Sequence, residues 1–181
     1  MKPLDIRDIS IIDAFPVYNR KNIILNVGCG EGRIDKHLGF IGYRVYAVDI
    51  KQGEKWDNHP NLTFHKANIF DLKSFPISSS PVVICSEVLE HLKDYKTALA
   101  NLLKLAEIRL IITVPFKKSF GGESAGHCNF WDDSNIGEFK RLCSPYSTAI
   151  SKIRTKAKDV QMKQFCYLII VDKRQDKIGE K

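Results

Sequence analysis

Residues 22–32 read Asn22-Ile23-Ile24-Leu25-Asn26-Val27-Gly28-Cys29-Gly30-Glu31-Gly32, an apolar run followed by three closely spaced glycines. The run has the length and the β-branched content of a buried strand, which the glycines end. Glycine permits a sharp turn with exposed N–H groups and lets a ligand approach where a Cβ would collide. This segment therefore predicts the first strand of an α/β sheet and a turn that binds a ligand.

The spacing of these glycines narrows the class of ligand. A dinucleotide-binding Gly-x-Gly-x-x-Gly pattern would need its third glycine where this chain has Arg33. A phosphate-binding P-loop would need Gly-Lys-Ser/Thr, which does not follow. A nicotinamide or flavin cofactor and a P-loop phosphate site are therefore disfavoured.

Outward from this turn, short β-rich runs alternate with helical patterns. Further strands are predicted at residues 43–49, 62–65, 81–85, 108–114, 148–154 and 165–172, and helices at about 32–40, 89–106 and 132–142. Such alternation is typical of a parallel sheet with crossover helices. We predict an α/β, Rossmann-like fold: a seven-stranded, mostly parallel sheet with helices on both faces and a C-terminal antiparallel strand pair.

The 181 residues fit a single domain that is long enough to bury a core. Residues 1–20 are expected to form a helix and a lead-in that covers the sheet edge. Residues 21–116 are expected to form the cofactor-binding half, and residues 117–181 a substrate-shaping loop, a short helix and a C-terminal hairpin. Gly121 and Gly122 in that loop are candidate hinges of a lid over the cleft.

Composition argues against two classes of protein. A content of 44% hydrophobic and 27% charged residues is not that of a disordered chain. No apolar run reaches the length of about 20 residues that spans a bilayer, and the first residues contain no signal-peptide core. The 5 cysteines form no CxxC pair and are expected to be reduced. We therefore expect a cytoplasmic protein with no membrane partner.

The net charge of +7 is concentrated near the C-terminus, where residues 151–181 contain nine Lys or Arg against four Asp or Glu. A basic end of this kind attracts anionic partners, including RNA or a nucleotide-linked substrate. A solvated hairpin and tail would give the same count, and we favour this second interpretation.

Ligands of open α/β sheets bind beyond the carboxyl ends of the strands, beside the point where the strand order reverses. Asp49 ends the second predicted strand about 20 residues after the glycines, as expected of a carboxylate that accepts hydrogen bonds from both ribose hydroxyls. The alternative is an ordinary strand-ending Asp that begins a turn. Together with the glycine turn, Asp49 favours a ribose-containing ligand.

Four segments and the end of the fifth predicted strand carry a resemblance to a known family. They are Leu25–Gly32, Val48-Asp49-Ile50, Asn68-Ile69-Phe70-Asp71, Cys85–Leu92 and Val114-Pro115-Phe116. In order and spacing they resemble the successive motifs of class I S-adenosylmethionine-dependent methyltransferases. The resemblance covers about residues 20–116 and implies methyl transfer from S-adenosylmethionine.

The resemblance also implies a set of cofactor contacts. Gly28 and Gly30 would lie against the methionine part of the cofactor, and Asp49 would hold the ribose. Ile50 would pack on the adenine, and Asn68 would meet the adenine edge. The full expected set is Gly28, Cys29, Gly30, Gly32, Asp49, Ile50, Asn68 and Ser86. The family usually has acidic residues where this chain has Asn26 and Asn68, so weaker cofactor binding is expected.

Glu87, Glu90 and His91 follow the fourth predicted strand at steps that place them on one side of a helical turn. They resemble a motif of metal-dependent O-methyltransferases of the ubiquinone pathway and of small-RNA 2′-O-methyltransferases. His127 lies at a place similar to that of a further histidine in the RNA group. The resemblance implies a site for Mg²⁺ or another divalent cation at Glu87, Glu90, His91 and His127, which would activate an acceptor hydroxyl.

Two interpretations without a metal stay open at this stage. His91 or His127 could serve as a catalytic base, with Glu87 near the cofactor. Alternatively, the two glutamates only complement the dipole of the helix that follows.

The acceptor is constrained mainly by motifs that the chain lacks. No Asn/Asp-Pro-Pro-Tyr/Phe motif follows the fourth predicted strand, which disfavours methylation of the amino groups of DNA bases and of glutamine. No Pro-Cys follows it either, which disfavours methylation of cytosine at C5. Phe130 and Trp131 could stack on a planar acceptor, although Trp131 is expected to anchor its loop to the core. We expect methyl transfer to an oxygen of a small-molecule or sugar-like acceptor. The alternatives are a metal-assisted RNA 2′-O-methyltransferase and a catalytically silent cofactor-binding partner protein.

Overall fold

The computed structural model describes residues 4–15, 23–53, 56, 59–116, 126–155 and 164–173. Its strands are β1 (Ile23–Val27), β2 (Arg44–Asp49), β3 (Leu62–Lys66), β4 (Ser80–Ser86), β5 (Ala106–Pro115), β6 (Ser147–Thr155) and β7 (Gln164–Asp172). Its helices are α1 (Ile6–Asp13), α2 (Arg33–Phe40), α3 (Tyr95–Leu105) and α4 (Glu138–Leu142), with short 3₁₀ turns at Leu72–Ser74 and Leu89–His91. Every strand predicted from the sequence is present.

The seven strands form one sheet in the order β3-β2-β1-β4-β5-β7-β6. The first five pair in parallel, with Leu25 of β1 opposite Tyr46 of β2 and Val83 of β4. The last two pair antiparallel, and β7 also runs antiparallel to β5. The predicted Rossmann-like fold is therefore confirmed. Because the chain moves outward from β1 to β3 and then returns to β4, the strand order reverses between β1 and β4.

Helices cover both faces of the sheet, and each face has its own apolar cluster. On one face α3 and α4 bury Leu99, Leu102 and Phe139 against the sheet. On the other face α1 and α2 bury Ile11 and Leu38. These five side chains are almost completely removed from water, so the two clusters supply most of the favourable free energy of folding.

Helix α1 packs against β6 and β7, at the end of the sheet where a covering helix was predicted. Asp5 begins the helix with a capping box, because its carboxylate accepts from the Asp8 N–H while the Asp8 carboxylate accepts from the Asp5 N–H. Arg109 of β5 donates to the Ala14 carbonyl just after the helix. The N-terminal helix is therefore fixed at both ends.

Two helices begin later than the sequence predicts. Asp94 caps α3 by accepting from the Thr97 N–H, so the helix begins at Tyr95 rather than near residue 89. The preceding residues form a 3₁₀ turn, and Glu87 has a left-handed backbone with φ 56° that a helix excludes. The Asp132 carboxylate accepts from the Ser134 N–H in a local turn, and α4 begins only at Glu138.

Among the helices that the structure describes, none is both long and apolar enough to cross a bilayer. All five cysteines are free thiols. Burial raises the pKa of the Cys29 and Cys85 thiols well above the usual range, so both remain protonated and behave as small apolar side chains.

Candidate active site

A cavity of about 310 Å³ opens where the strand order reverses, beyond the carboxyl ends of β1 and β4. The glycine turn, the segment after β4 and helix α1 enclose it from three sides. Its lining consists of Arg7, Asp8, Asn26, Gly28, Cys29, Arg33, Ile34, Ser86, Glu87, Glu90, His91 and His127. Charged and polar side chains therefore dominate a concave site of ligand size.

The turn after β1 has a left-handed backbone at Gly28, Gly30 and Gly32, with φ values of 78°, 53° and 67°. The Gly28 N–H donates to the Val48 carbonyl of β2 at 2.7 Å, which holds the turn against the neighbouring strand. A Cβ on Gly28 would overlap the Val88 side chain, and a Cβ on Gly32 would overlap the Trp56 ring. The turn therefore requires glycine for both its backbone and its close contacts.

We expect Gly28→Ala to lower the free energy of unfolding by about 1–3 kcal/mol, because the left-handed backbone disfavours a Cβ and Val88 must move. Chemical denaturation measures this loss. Gly42→Ala is the matched control, since Gly42 also has a positive φ but a Cβ there would meet nothing within 4 Å. If Gly28→Ala and Gly42→Ala lost the same free energy of unfolding, the overlap with Val88 would contribute nothing to the loss in Gly28→Ala.

Asp49 lies at the rim of this turn. Its carboxylate accepts from the Gly30 N–H at 2.9 Å and from the Ile50 N–H at 2.7 Å. Each oxygen keeps a further lone pair, so the carboxylate can also accept from two ribose hydroxyls. Ile50 is 63% exposed beside it, and the Ala67 N–H donates to the Asp49 carbonyl, which brings Asn68 to the same rim. The residues predicted to contact the ribose and adenine are therefore neighbours on one surface.

Six of the eight predicted cofactor residues fall into two groups, and the other two, Gly30 and Gly32, lie in the glycine turn but do not line the cavity. Gly28, Cys29 and Ser86 line the cavity itself. Asp49, Ile50 and Asn68 instead form the open surface just described, and Asn68 uses its amide oxygen to accept from the Phe70 N–H. A ligand that contacts both groups must extend from the enclosed cavity across the glycine turn to the open surface.

Arg7 on α1 is a cavity residue that the sequence interpretation missed. Its guanidinium pairs with Glu87 at 3.2 Å and with Asp5 at 3.5 Å. Arg33 pairs with Asp5 and Asp8, so ion pairs join α1 to the glycine turn and to the segment after β4. No spacing rule relates an arginine near the N-terminus to the glycine turn, because only the folded sheet brings them together.

Glu87 has a different environment from the one predicted for it. The Thr113 hydroxyl of β5 donates to its carboxylate at 3.1 Å, and Thr113 also hydrogen-bonds Ser86 at 2.7 Å. Burial raises the pKa of Glu87, and the nearby Arg7 guanidinium opposes that shift. A non-glycine residue held at positive φ stores backbone strain, which is common at functional sites. Arg7 and Thr113 together hold this carboxylate at the cavity wall.

Three of the four residues predicted to bind a metal lie together. Ligand atoms of Glu90, His91 and His127 are all within 4.8 Å of one another, and Glu87 is not part of this cluster. The rings of His91 and His127 meet edge to face at 4.7 Å between centroids.

Burial raises the pKa of Glu90 to about 8, with the nearby Glu87 as a second cause. Burial and His91 lower the pKa of His127, so its imidazole is neutral at physiological pH.

The segment that carries His127 is docked onto the turn before α3. The Cys128 and Asn129 N–H groups both donate to the Glu90 carbonyl, and the Asn129 side chain donates to the Leu89 and Leu92 carbonyls. Trp131 is 2% exposed and packs edge to face on Tyr95, as predicted for a core anchor. The candidate hinge at Gly121 and Gly122 lies outside the described residues.

Unpaired polar atoms are concentrated at the cavity. Among the described residues, buried side-chain atoms without a hydrogen-bond partner are Arg7 Nε, Asn26 Oδ1, His65 Nε2 and Glu90 Oε2. Three of these four residues line the cavity. A buried polar atom without a partner costs about 1–3 kcal/mol, so such atoms at a cavity indicate a ligand that supplies the missing partners. The unpaired N–H of Arg7 and the unpaired oxygens of Asn26 and Glu90 suit a ligand that carries both a negatively and a positively charged group.

The sheet has the Rossmann-like methyltransferase fold, and similarity to known proteins supports a class I S-adenosylmethionine-dependent methyltransferase. Residues 25–107 match the family model described as "Methyltransferase domain". The matched range contains β1 to α3, the part of the sheet that holds the glycine turn and Asp49.

Known proteins similar to this chain have several acceptors. "Ubiquinone biosynthesis O-methyltransferase" of Rickettsia bellii is 27% identical over 163 residues, which cover 83% of this chain and 67% of that protein. "Ribosomal RNA small subunit methyltransferase A" of Thermotoga petrophila is 21% identical over 161 residues, covering 80% and 62%. The crystal structure of magnesium protoporphyrin IX methyltransferase from Synechocystis with bound SAH has a TM-score of 0.66 at 19% identity, covering 91% and 80%. All three names describe methyltransferases, and they differ in the acceptor.

Proposed function

We propose that this chain transfers a methyl group from S-adenosylmethionine to an oxygen of a small-molecule or sugar-like acceptor. The observation that carries the proposal is the placement of two histidines in the lining of a cavity that also has buried polar atoms without a hydrogen-bond partner among the described residues. The similarity to an O-methyltransferase over 83% of the chain supports an oxygen acceptor. Free cysteines agree with the cytoplasmic location that we also propose.

The cavity residues fit the amino-acid end of the cofactor. Arg7 provides a buried N–H without a partner, and its positive charge can bind the methionine carboxylate. Ser86 and Gly28 line the same cavity, and Asp49 lies ready to accept from the ribose at the rim. When bound, the cofactor supplies the methyl group as an electrophilic sulfonium.

We assign His91 as the base that removes the acceptor proton. Its Nδ1 lies 3.1 Å from the Gly126 carbonyl, which can only accept, so Nδ1 carries the ring proton. Nε2 then keeps its lone pair for the proton of the acceptor hydroxyl. Glu90 Oε1 lies 3.9 Å from Nε2. Burial raises the pKa of this carboxyl, and the imidazolium that forms would favour its ionised form, which in turn would stabilise the imidazolium. His127 packs against the ring and restricts its orientation.

The same three side chains offer a second arrangement, with a divalent cation held by Glu90, His91 and His127. A bound cation would lower the pKa of the acceptor hydroxyl and orient it. Two imidazoles and one carboxylate suit Mn²⁺, Fe²⁺ or Zn²⁺ better than the Mg²⁺ named from the sequence. Glu87 takes no part in this arrangement, because Arg7 and Thr113 hold its carboxylate.

Chelation and replacement of Glu90 distinguish the two arrangements. If a cation is used, a chelator abolishes activity and added Mn²⁺ restores it. Calorimetry then shows that wild-type protein binds Mn²⁺ and that Glu90→Gln does not. Glu107→Gln is the matched control, since this exposed carboxylate lies at the start of β5, away from the cavity. Full activity in chelator, with no heat of Mn²⁺ binding, would leave His91 as a base without a metal.

An RNA acceptor is the second candidate, supported by similarity to a protein named as a ribosomal RNA methyltransferase. Exposed Arg154 on the edge strand β6 offers positive charge to a phosphate backbone, whereas the ammonium of Lys152 on the same strand pairs with Asp133. Neutralising several phosphates makes RNA affinity fall steeply between low and high salt, whereas a neutral small acceptor shows little salt dependence.

The deciding experiment incubates the purified protein with methyl-labelled S-adenosylmethionine and separate sets of phenolic, sugar-like, amine and RNA acceptors. We expect label on phenolic or sugar-like oxygens and none on amines. Label on RNA alone would replace the proposal with the second candidate. Tight cofactor binding without transfer to any acceptor would instead indicate a silent cofactor-binding partner protein.

A further inference from the structure

Asn26 and Asp35 form a buried pair behind the cavity. Asn26 is the penultimate residue of β1, and its Nδ2 donates to both carboxylate oxygens of Asp35 on α2, at 2.8 and 3.0 Å. Asp35 has no exposed surface, and Asn26 is 3% exposed. Only Asn26 of the two lines the cavity. The amide therefore lies between a buried carboxylate and the cofactor site.

Keeping this carboxylate in the core has a cost. In the described part of the chain Asp35 forms no ion pair within 4 Å, and burial raises its pKa to about 7. Replacing a buried charged or polar group by an apolar one of similar size is often neutral or stabilising. Asp35 is therefore a poor choice for stability, and a role at the site explains its presence better than packing does.

The carboxylate determines how the Asn26 amide is oriented. Both Asp35 oxygens accept from Asn26 Nδ2, so the NH₂ end of the amide faces Asp35 and the carbonyl end faces away from it. Asn26 Oδ1 is accordingly buried and has no partner among the described residues. The Asn26 oxygen is therefore an acceptor that has no donor among the described residues and can bind a donor group of a ligand.

We propose that Asp35 is a positioning residue that fixes Asn26 Oδ1 as the acceptor for the ammonium group of the cofactor's methionine end. The inference rests on the proposed cofactor site. Arg7 offers a positive charge for the carboxylate, and the Asn26 oxygen, with the Asp35 charge behind it, attracts the ammonium. Together the two sides of the cavity distinguish a zwitterionic amino-acid group from ligands with only one of its charges.

Two ligands that differ only in the ammonium group test the assignment. Calorimetry compares S-adenosylhomocysteine with its deamino analogue, in which hydrogen replaces the ammonium. We expect wild-type protein to prefer S-adenosylhomocysteine about 10- to 100-fold, the range of a hydrogen bond to a charged group. In Asp35→Leu the preference falls to about twofold or less, because the amide is free to rotate. Affinity for the deamino analogue stays unchanged.

Two further variants separate orientation from general damage. Asp35→Asn keeps an oxygen that accepts from Asn26 Nδ2, so most of the preference returns. The exchange Asn26→Asp with Asp35→Asn keeps the shape of the pair and turns a carboxylate toward the cavity, so the preference is kept or raised. This exchange also provides the test if Asp35→Leu does not fold. The decarboxylated analogue of S-adenosylhomocysteine is the ligand control, because it keeps the ammonium group and lacks only the carboxylate. The ratio of its affinity to that of S-adenosylhomocysteine must therefore be the same in wild-type protein and in Asp35→Leu.

The outcomes separate the two levels of the proposal. If wild-type protein binds neither ligand, the cofactor site itself is wrong. If it binds both and Asp35→Leu keeps the full preference, or the exchanged pair loses it, Asp35 does not position Asn26 for the ammonium. An equal loss of affinity for both ligands in Asp35→Leu would make the pair purely structural.

Discussion

Asp49→Ala is expected to weaken the binding of S-adenosylhomocysteine about 30- to 100-fold, close to the loss of one charge-assisted hydrogen bond. The carboxylate already accepts from the Gly30 and Ile50 N–H groups, and its remaining lone pairs face the rim where a ribose would lie. Removing it leaves the ribose hydroxyls without an acceptor and loosens the glycine turn. Calorimetry at constant salt measures the change directly.

Two control variants show whether the loss of affinity is specific to the Asp49 carboxylate. Asp49→Asn retains an oxygen that can accept, so its loss of affinity should be several-fold smaller than that of Asp49→Ala. Glu107→Ala removes an exposed negative charge at the start of β5 and should leave binding unchanged. Unchanged affinity in Asp49→Ala would remove this carboxylate from the cofactor site.

His91→Ala should lower kcat by about 10²- to 10⁴-fold, the usual contribution of a positioned general base. Affinity for S-adenosylhomocysteine should change little, because Nε2 serves the acceptor rather than the cofactor. In the arrangement without a metal, His127→Ala should have a smaller effect, since the His127 ring contacts His91 edge to face and does not itself take the proton. Rapid-quench measurement of methyl transfer separates the chemical step from binding.

A histidine outside the cavity provides the control. His37 on α2 does not line the cavity, so His37→Ala should retain wild-type kcat. If His91→Ala also retained wild-type kcat, neither the metal-free base nor a cation held by His91 would be tenable. Loss of cofactor affinity equal to the loss of kcat would instead place His91 at the cofactor.

The sheet and the glycine turn could be predicted because their signals are local. Apolar runs of strand length, ended by glycine or by Asp49, determine the strands and their carboxyl ends. The order of strands then follows from the parallel crossover pattern, which has few solutions. Asp49, Ile50 and Asn68 were each predicted to contact the cofactor, and this stays a prediction. In the structure the Ala67 N–H donates to the Asp49 carbonyl, next to Asn68 in the chain.

The other half of the site depends on contacts between residues in separate parts of the fold. Arg7 reaches Glu87 across 80 positions. Asp35 follows Asn26 by only nine positions, but the two lie in different elements, so no strand or helix period predicts that their side chains meet. Helical periodicity placed Glu87 in the same turn as Glu90 and His91, but its left-handed backbone turns it toward Arg7 instead. The sequence interpretation took Asn26, in place of the family's usual acidic residue, as a sign of weaker cofactor binding, and it did not predict the buried Asp35 carboxylate beside it.

Titration calorimetry with S-adenosylhomocysteine and with NAD, on the same purified protein, tests the cofactor site most directly. We expect S-adenosylhomocysteine to bind as one molecule per chain and NAD to produce no heat of binding. Preference for NAD, or absence of any heat with S-adenosylhomocysteine, would contradict the assignment of this cavity to an adenosyl sulfonium.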